Sequence, residues 1–169
     1  MISPSLTKCL LAGGALAMAI AAGPVHAAPQ PRSCAVAKFQ INNKGAYSIV
    51  RIYVKQFDSD GYETKVAALG DVGTDITAGT SRTFDLSKKP GIVKKREIWV
   101  SYDVSNVSSP ETKSCRKDGT RLYYRSDGVT WKLKGKGTTT KNNRCQFDGD
   151  NKCVDPASLD AAAASPPSQ

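Results

Sequence analysis

From Cys34 onward, apolar and polar side chains alternate with a period of two. In CAVAKFQIN, Ala35, Ala37, Phe39 and Ile41 share one parity while Lys38 and Gln40 take the other. Successive side chains of a strand point to opposite faces, so this is the pattern of a half-buried strand and not of a helix. SIVRIYVKQF repeats it, with Val50, Ile52 and Val54 set against Arg51, Tyr53 and Lys55, and its β-branched residues suit a pleated surface. REIWVSYDV places Ile98, Val100, Tyr102 and Val104 on one face and Trp99 on the other. Shorter strands are expected at Glu63 to Leu69 and Thr80 to Leu86.

The segments between these runs carry turn chemistry. NNKG and DSDG supply asparagine, aspartate and glycine, which tolerate left-handed backbone angles. RLYYR (121–125) and VTWKLK (129–134), separated by Ser126, Asp127 and Gly128, read as a hairpin. The count is seven or eight short strands in roughly 115 residues, with no amphipathic helix of ten or more. That tally predicts an all-β chain, a single antiparallel β-sandwich, Ig-like or related, with a small barrel as second choice.

The N-terminus bears on the compartment. MISPSLTKCLLAGGALAMAIAAGPVHA has one cation at Lys8, an apolar run from Cys9 to Gly23, then Pro24 and small residues at Val25 and Ala27. This is the layout of a secretory signal over 1–27, with cleavage expected between Ala27 and Ala28. A spanning helix needs about 20 consecutive apolar residues, more than this run offers. A short leader (28–32), one domain (33–154) and a disordered tail (155–169) would follow. The tail, DPASLDAAAASPPSQ, holds almost no large apolar side chains to offset its ordering entropy. The mature chain is expected to be secreted or periplasmic.

Four cysteines survive such processing: Cys34, Cys115, Cys145 and Cys153. In an oxidising compartment an even number predicts two disulfides, with three connectivities open. Seven residues separate Cys145 from Cys153, which favours a local Cys145–Cys153 link and leaves Cys34–Cys115 as the long one. A long loop of that kind would stabilise by about 4–5 kcal/mol.

Cleavage also removes His26, the only histidine. Ser-His-Asp triads, Cys-His pairs and histidine zinc sites all need an imidazole, so none can be built from the mature chain. Paired carboxylates as in glycoside hydrolysis remain conceivable, but Asp58, Asp60, Glu63, Asp103 and Glu111 show no spacing that marks such a pair. The expectation is a non-enzymatic protein without a cofactor.

Charge is the abundant chemistry. Losing one lysine and no acid with the signal takes the net charge from +9 to +8. In WKLKGKGTTTKNNRC, Lys132, Lys134 and Lys136 share one parity, and Lys141 and Arg144 extend the row. KKPGIVKKR adds Lys88, Lys89, Lys94, Lys95 and Arg96. Together they suggest a footprint for an anionic polymer, a membrane surface or an acidic protein. The competing structural reading is an edge strand guarded by lysines against unwanted pairing. No RNP-like aromatic pattern or groove-reading helix supports sequence-specific nucleic-acid binding.

Two further readings come from other residues. Trp99, Trp131 and Tyr123 would stack on sugar rings if exposed, which defines a carbohydrate-binding module as an alternative. A membrane-active toxin is another, with basic charge for attraction and exposed rings for insertion. Asp148, Asp150 and Asp155 in FDGDNKCVD resemble part of a calcium loop, without its third alternate acid or its closing glutamate. The leading expectation is an exported binding protein that engages an anionic surface through its lysine clusters.

Overall fold

The computed structural model describes residues 31–70, 75–105, 111–138 and 142–164. The all-β expectation holds: nine strands are found among these residues, joined in one hydrogen-bonded sheet. They are β1 (Arg32–Asn43), β2 (Ser48–Phe57), β3 (Glu63–Ala68), β4 (Ser81–Asp85), β5 (Glu97–Ser105), β6 (Glu111–Cys115), β7 (Thr120–Tyr124), β8 (Val129–Lys136) and β9 (Arg144–Phe147). A single 3₁₀ turn, Leu86–Lys88, follows β4, and one helix, α1 (Pro156–Ala164), lies after β9. The path through the sheet is β3-β2-β5-β7-β1-β8-β9, with β4 added to β1 and β6 added to β5.

The sheet is mixed, which corrects the expectation of a purely antiparallel one. β1 runs parallel to β7 through its first half and parallel to β8 through its second. The predicted β7–β8 hairpin is therefore absent: the two strands flank β1 and run in the same direction. The chain passes from one side of β1 to the other at 125–128. Arg125 N donates to Val36 O at 3.0 Å, and a Cβ on Gly128 would stand 2.6 Å from Val36 N and 2.7 Å from Ala35 C. Only a residue without a side chain can cross a backbone that closely. Both halves of β1 are deep in the fold, and Cys34 to Ala37 form a continuous buried run.

Burial on β2 departs from simple alternation because of a bulge. The register against β5 shifts between Val50 and Tyr53, and Arg51 sits there with φ 44°. Ile49 before the bulge and Ile52, Val54 and Gln56 after it all turn inward, while Val50 is only half-buried. An extra residue in one strand reverses the facing of everything that follows. The core joins Phe39 and Ile41 of β1, Ile49 and Val54 of β2, Val100 and Tyr102 of β5, Leu122 of β7 and Leu133 of β8. Each large apolar side chain buried this way contributes about 1.5–3 kcal/mol. The sheet curls so that β8 faces β2 and β5 across this core: a Cβ on Gly135 would lie 2.9 Å from Ile49 Cδ1 and 3.2 Å from the Tyr102 hydroxyl.

The disulfides are Cys34–Cys153 and Cys115–Cys145, each with a Cα–Cα distance of 5.0 Å, and not the expected Cys34–Cys115 and Cys145–Cys153. Nearness in sequence misleads because Cys145 lies in β9, opposite Gly135, and faces β6. The following loop then carries Cys153 back to the start of β1, where Ala35 N donates to Val154 O at 2.8 Å. The tail also differs from expectation. Asp155 caps α1 by accepting from Ala157 N at 3.0 Å, and Pro156 takes the first helical position, where its missing N–H costs nothing. Residues 165–169 and residues 1–30, where the signal and most of the leader are expected, lie outside the described residues.

Candidate functional site

β8 separates its side chains as its alternation predicts. Trp131 and Leu133 are buried inward, and Lys132, Lys134 and Lys136 stand on the outer face. β8 lies between β1 and β9 and is not an edge, so the lysines do not guard an open strand. Across the ladder, Lys132 is level with Gln40 and Lys134 with Asn42 on β1, while Lys134 is level with Gln146 and Lys136 with Arg144 on β9. The outer surface of β1, β8 and β9 is thus polar amides around a row of cations.

The three lysines are not equivalent. Lys134 Nζ binds Asp148 Oδ1 at 2.8 Å, and Asp148 is buried at 8% exposure. Their shared hydrogen bond holds the Asp148 carboxyl below the usual carboxylate range and raises the Lys134 ammonium. Lys134 is therefore committed to a structural pair. Lys132 is gripped through its backbone: its N–H donates to Asn151 Oδ1 at 2.6 Å, and Asn151 Nδ2 donates to its carbonyl at 2.8 Å. Among the described residues, Lys132, Lys136 and Arg144 form no ion pair, although Lys132, after Lys134, adds to the field that lowers the Asp148 carboxyl.

Lys136 and Arg144 sit directly opposite each other on an antiparallel pair, both exposed. Like charges in that position repel and destabilise a sheet. The backbone beneath them is fixed from the core. The Tyr47 hydroxyl donates to Lys136 O at 3.1 Å, and the Tyr102 hydroxyl donates to Arg144 O at 3.5 Å. Burial raises both phenol pKa values, so both remain neutral donors. Sequence reasoning placed Tyr102 in the core but did not assign either tyrosine this positioning role. An isolated tyrosine in an apolar run carries no signal of the carbonyl that its hydroxyl will meet.

The second cluster lies elsewhere. Lys88 and Lys89 follow β4 at the 3₁₀ turn, and Lys94, Lys95 and Arg96 occupy the loop entering β5. Lys95 Nζ reaches Asp160 Oδ2 at 3.5 Å, the Asp127 carboxyl is lowered chiefly by its hydrogen bond from Arg125 and only slightly by the charge of Lys94, and Arg96 Nη1 donates to Phe57 O at 3.4 Å. Lys94 and Lys95 lie beside α1 and the β7–β8 crossing, and among the described residues no ladder register or ion pair joins the cluster to the β8–β9 face. Lys141 lies outside the described residues.

The stacking residues require correction. Trp99 is 1% exposed, with Phe57 at 5.0 Å between ring centroids and the Arg116 guanidinium 4.3 Å above its ring. Trp131 is 3% exposed, with Phe147 edge-on at 5.3 Å. Neither ring can meet a sugar, because each is already covered. Tyr123 is half-buried and lines a cavity of about 300 Å³ beneath α1.

The calcium reading fares no better. Asp148 is taken by Lys134, Asp155 caps α1, and Asp150 donates its N–H to Asp148 Oδ1 at 3.4 Å. Among the described residues, no three His, Cys, Asp or Glu side chains converge as metal ligands.

No family model and no curated protein matches the chain. Among solved structures, it is similar to pneumolysin at 14% identity and a TM-score of 0.38, over 69% of this chain and 24% of that one. A Gram-negative toxin is similar at 15% identity and a TM-score of 0.40, over 70% and 24% respectively. The membrane-binding domain of pneumolysin is similar at 16% identity and a TM-score of 0.37, over 69% of this chain and 98% of that one. The chain thus spans about a quarter of the two whole toxins. TM-scores of this size do not establish a common fold, and the chain's own residues carry the functional argument.

Proposed function

We propose that this is an exported, non-enzymatic binding protein whose outer β8–β9 face engages an extended anionic surface. Lys132, Lys136 and Arg144 would make the contacts, with Lys134 and Asp148 bracing the strand. The observation that carries the reading is the Lys136–Arg144 pair: two cations directly opposite each other, with no ion pair to an acid among the described residues, over backbone carbonyls anchored by buried tyrosines. Such an arrangement costs stability in the free protein and is relieved when an anion bridges it. Two disulfides suit an oxidising compartment.

The ligand chemistry is closely spaced phosphate, sulfate or carboxylate groups. Polyphosphate, a sulfated polysaccharide and phosphatidylglycerol vesicles are the probes, each titrated at several salt concentrations. Saturable binding to at least one of them that weakens steeply with salt supports the proposal. Binding to none, or binding insensitive to salt, overturns it. With vesicles, release of an entrapped dye distinguishes membrane-active behaviour from surface adhesion.

A further inference from the structure

α1 flanks a cationic niche and supplies an acid to it. Arg125 lies at the bottom, with its side chain 11% exposed. Its Nε and Nη2 donate to the two Asp127 carboxylate oxygens at 2.9 Å each. Its Nη1 donates to Asp160 Oδ1 and, at 3.5 Å, to the Pro156 carbonyl. Lys95 Nζ approaches the other Asp160 oxygen at 3.5 Å. The adjoining cavity of about 300 Å³ extends between these groups, Ser33 and the Tyr123 ring.

Of the described α1 side chains, only Pro156 and Leu159 are half-buried and the rest are exposed. No α1 residue belongs to the described core cluster, and a nine-residue helix is marginal by itself. The contacts that dock it include the nearby Cys34–Cys153 link, the Pro156 carbonyl on Arg125 and the Asp160 carboxylate set between Arg125 and Lys95. With Asp160 withdrawn, Arg125 Nη1 and Lys95 Nζ lose the carboxylate they share, while Asp127 keeps Nε and Nη2 of Arg125 and Asp155 stays on the cavity wall.

We propose that Lys95 and Arg125, walled by Tyr123, form a second binding site for a single carboxylate or phosphate group, and that Asp160 is its internal competitor. The site shares no residue with the β8–β9 face, so either can fail without the other. It gives Lys95 a role distinct from surface adhesion: its partner is one compact oxyanion inserted beneath α1.

The test uses the oxidised full chain, titrated separately with acetate and inorganic phosphate, with backbone amide shifts of Ser33, Tyr123 and Arg125 as the readout. In the wild type, binding is reduced by the fraction of molecules whose niche is already filled. If α1 is docked in about nine molecules of ten, Asp160→Asn tightens binding about tenfold. The double variant Asp160→Asn/Lys95→Gln loses that gain, while its Arg125–Asp127 pair keeps the turn intact. A gain for acetate alone identifies a carboxylate site, and a gain for phosphate identifies a phosphate site. Equal affinity of wild type and Asp160→Asn for both anions overturns the proposal, as does a gain that survives loss of Lys95. Repeating the titration with Lys132, Lys136 and Arg144 all changed to Gln should leave the gain unchanged.

Discussion

Replacing Gly128 by alanine loads the crossing of the β7–β8 connection over β1. The added Cβ would meet Val36 N at 2.6 Å, Ala35 C at 2.7 Å and Val36 C at 2.8 Å, against about 3.5–4.0 Å for relaxed contact. All three are backbone atoms of a strand paired on both edges, so no side chain can swing away to make room. Overpacking of this kind costs about 1–3 kcal/mol, and the top of that range applies where the neighbour is backbone. For a domain of this size, ~3 kcal/mol lowers Tm by roughly 10 °C. The assay is thermal and urea unfolding of the oxidised protein, with Gly149→Ala as the control, since nothing lies within 4 Å of a Cβ there. A Gly128→Ala protein within about 0.5 kcal/mol of the control would refute the crossing, because the outer turn of an ordinary hairpin accommodates alanine.

Two further expectations follow from the covalent and ionic anchors. Non-reducing peptide mapping should recover Cys34 joined to Cys153 and Cys115 joined to Cys145; removing the first pair should cost about 5 kcal/mol and the second about 4 in the chain-entropy model. A recovered Cys145–Cys153 peptide would contradict the fold of the last strand. Asp148→Asn should destabilise at neutral pH. The Asp148 carboxyl has its pKa lowered by Lys134 in the folded state, so its contribution is complete above the unfolded-state pKa and is lost as pH falls through the folded value. The gap between wild type and variant should therefore close in acid, and a gap independent of pH would mean the pair contributes nothing through charge.

How much of this was legible beforehand depended on whether a residue's role was local. The faces of β8 and β5 follow from alternation alone, because a side chain's parity is set by its own strand. Partners are not local. Alternation is silent on whether β1 has parallel or antiparallel neighbours, and Ser126-Asp127-Gly128 spells a turn whether the chain doubles back or crosses over. The bulge at Arg51 had no marker, since arginine seldom takes φ 44°. Trp99 reads as wettable because Glu97 and Ser101, which share its face of the strand, are polar, yet Arg116 from beyond β6 is what covers it. α1 was missed by weighing only its lack of apolar bulk. Asp155 followed by Pro156 is a readable helix start, whereas the anchoring of Asp160 by Arg125, 35 residues away, is visible only in three dimensions.

The binding claim reduces to a salt titration. Wild type and the variant with Lys132, Lys136 and Arg144 changed to Gln are compared for polyphosphate affinity across a range of salt concentrations. If these three cations make the contacts, the variant binds more weakly and its log–log salt slope is shallower by about 2, at roughly 0.7 per phosphate neutralised. Parallel slopes with equal affinities would show that the anion is held elsewhere on the molecule.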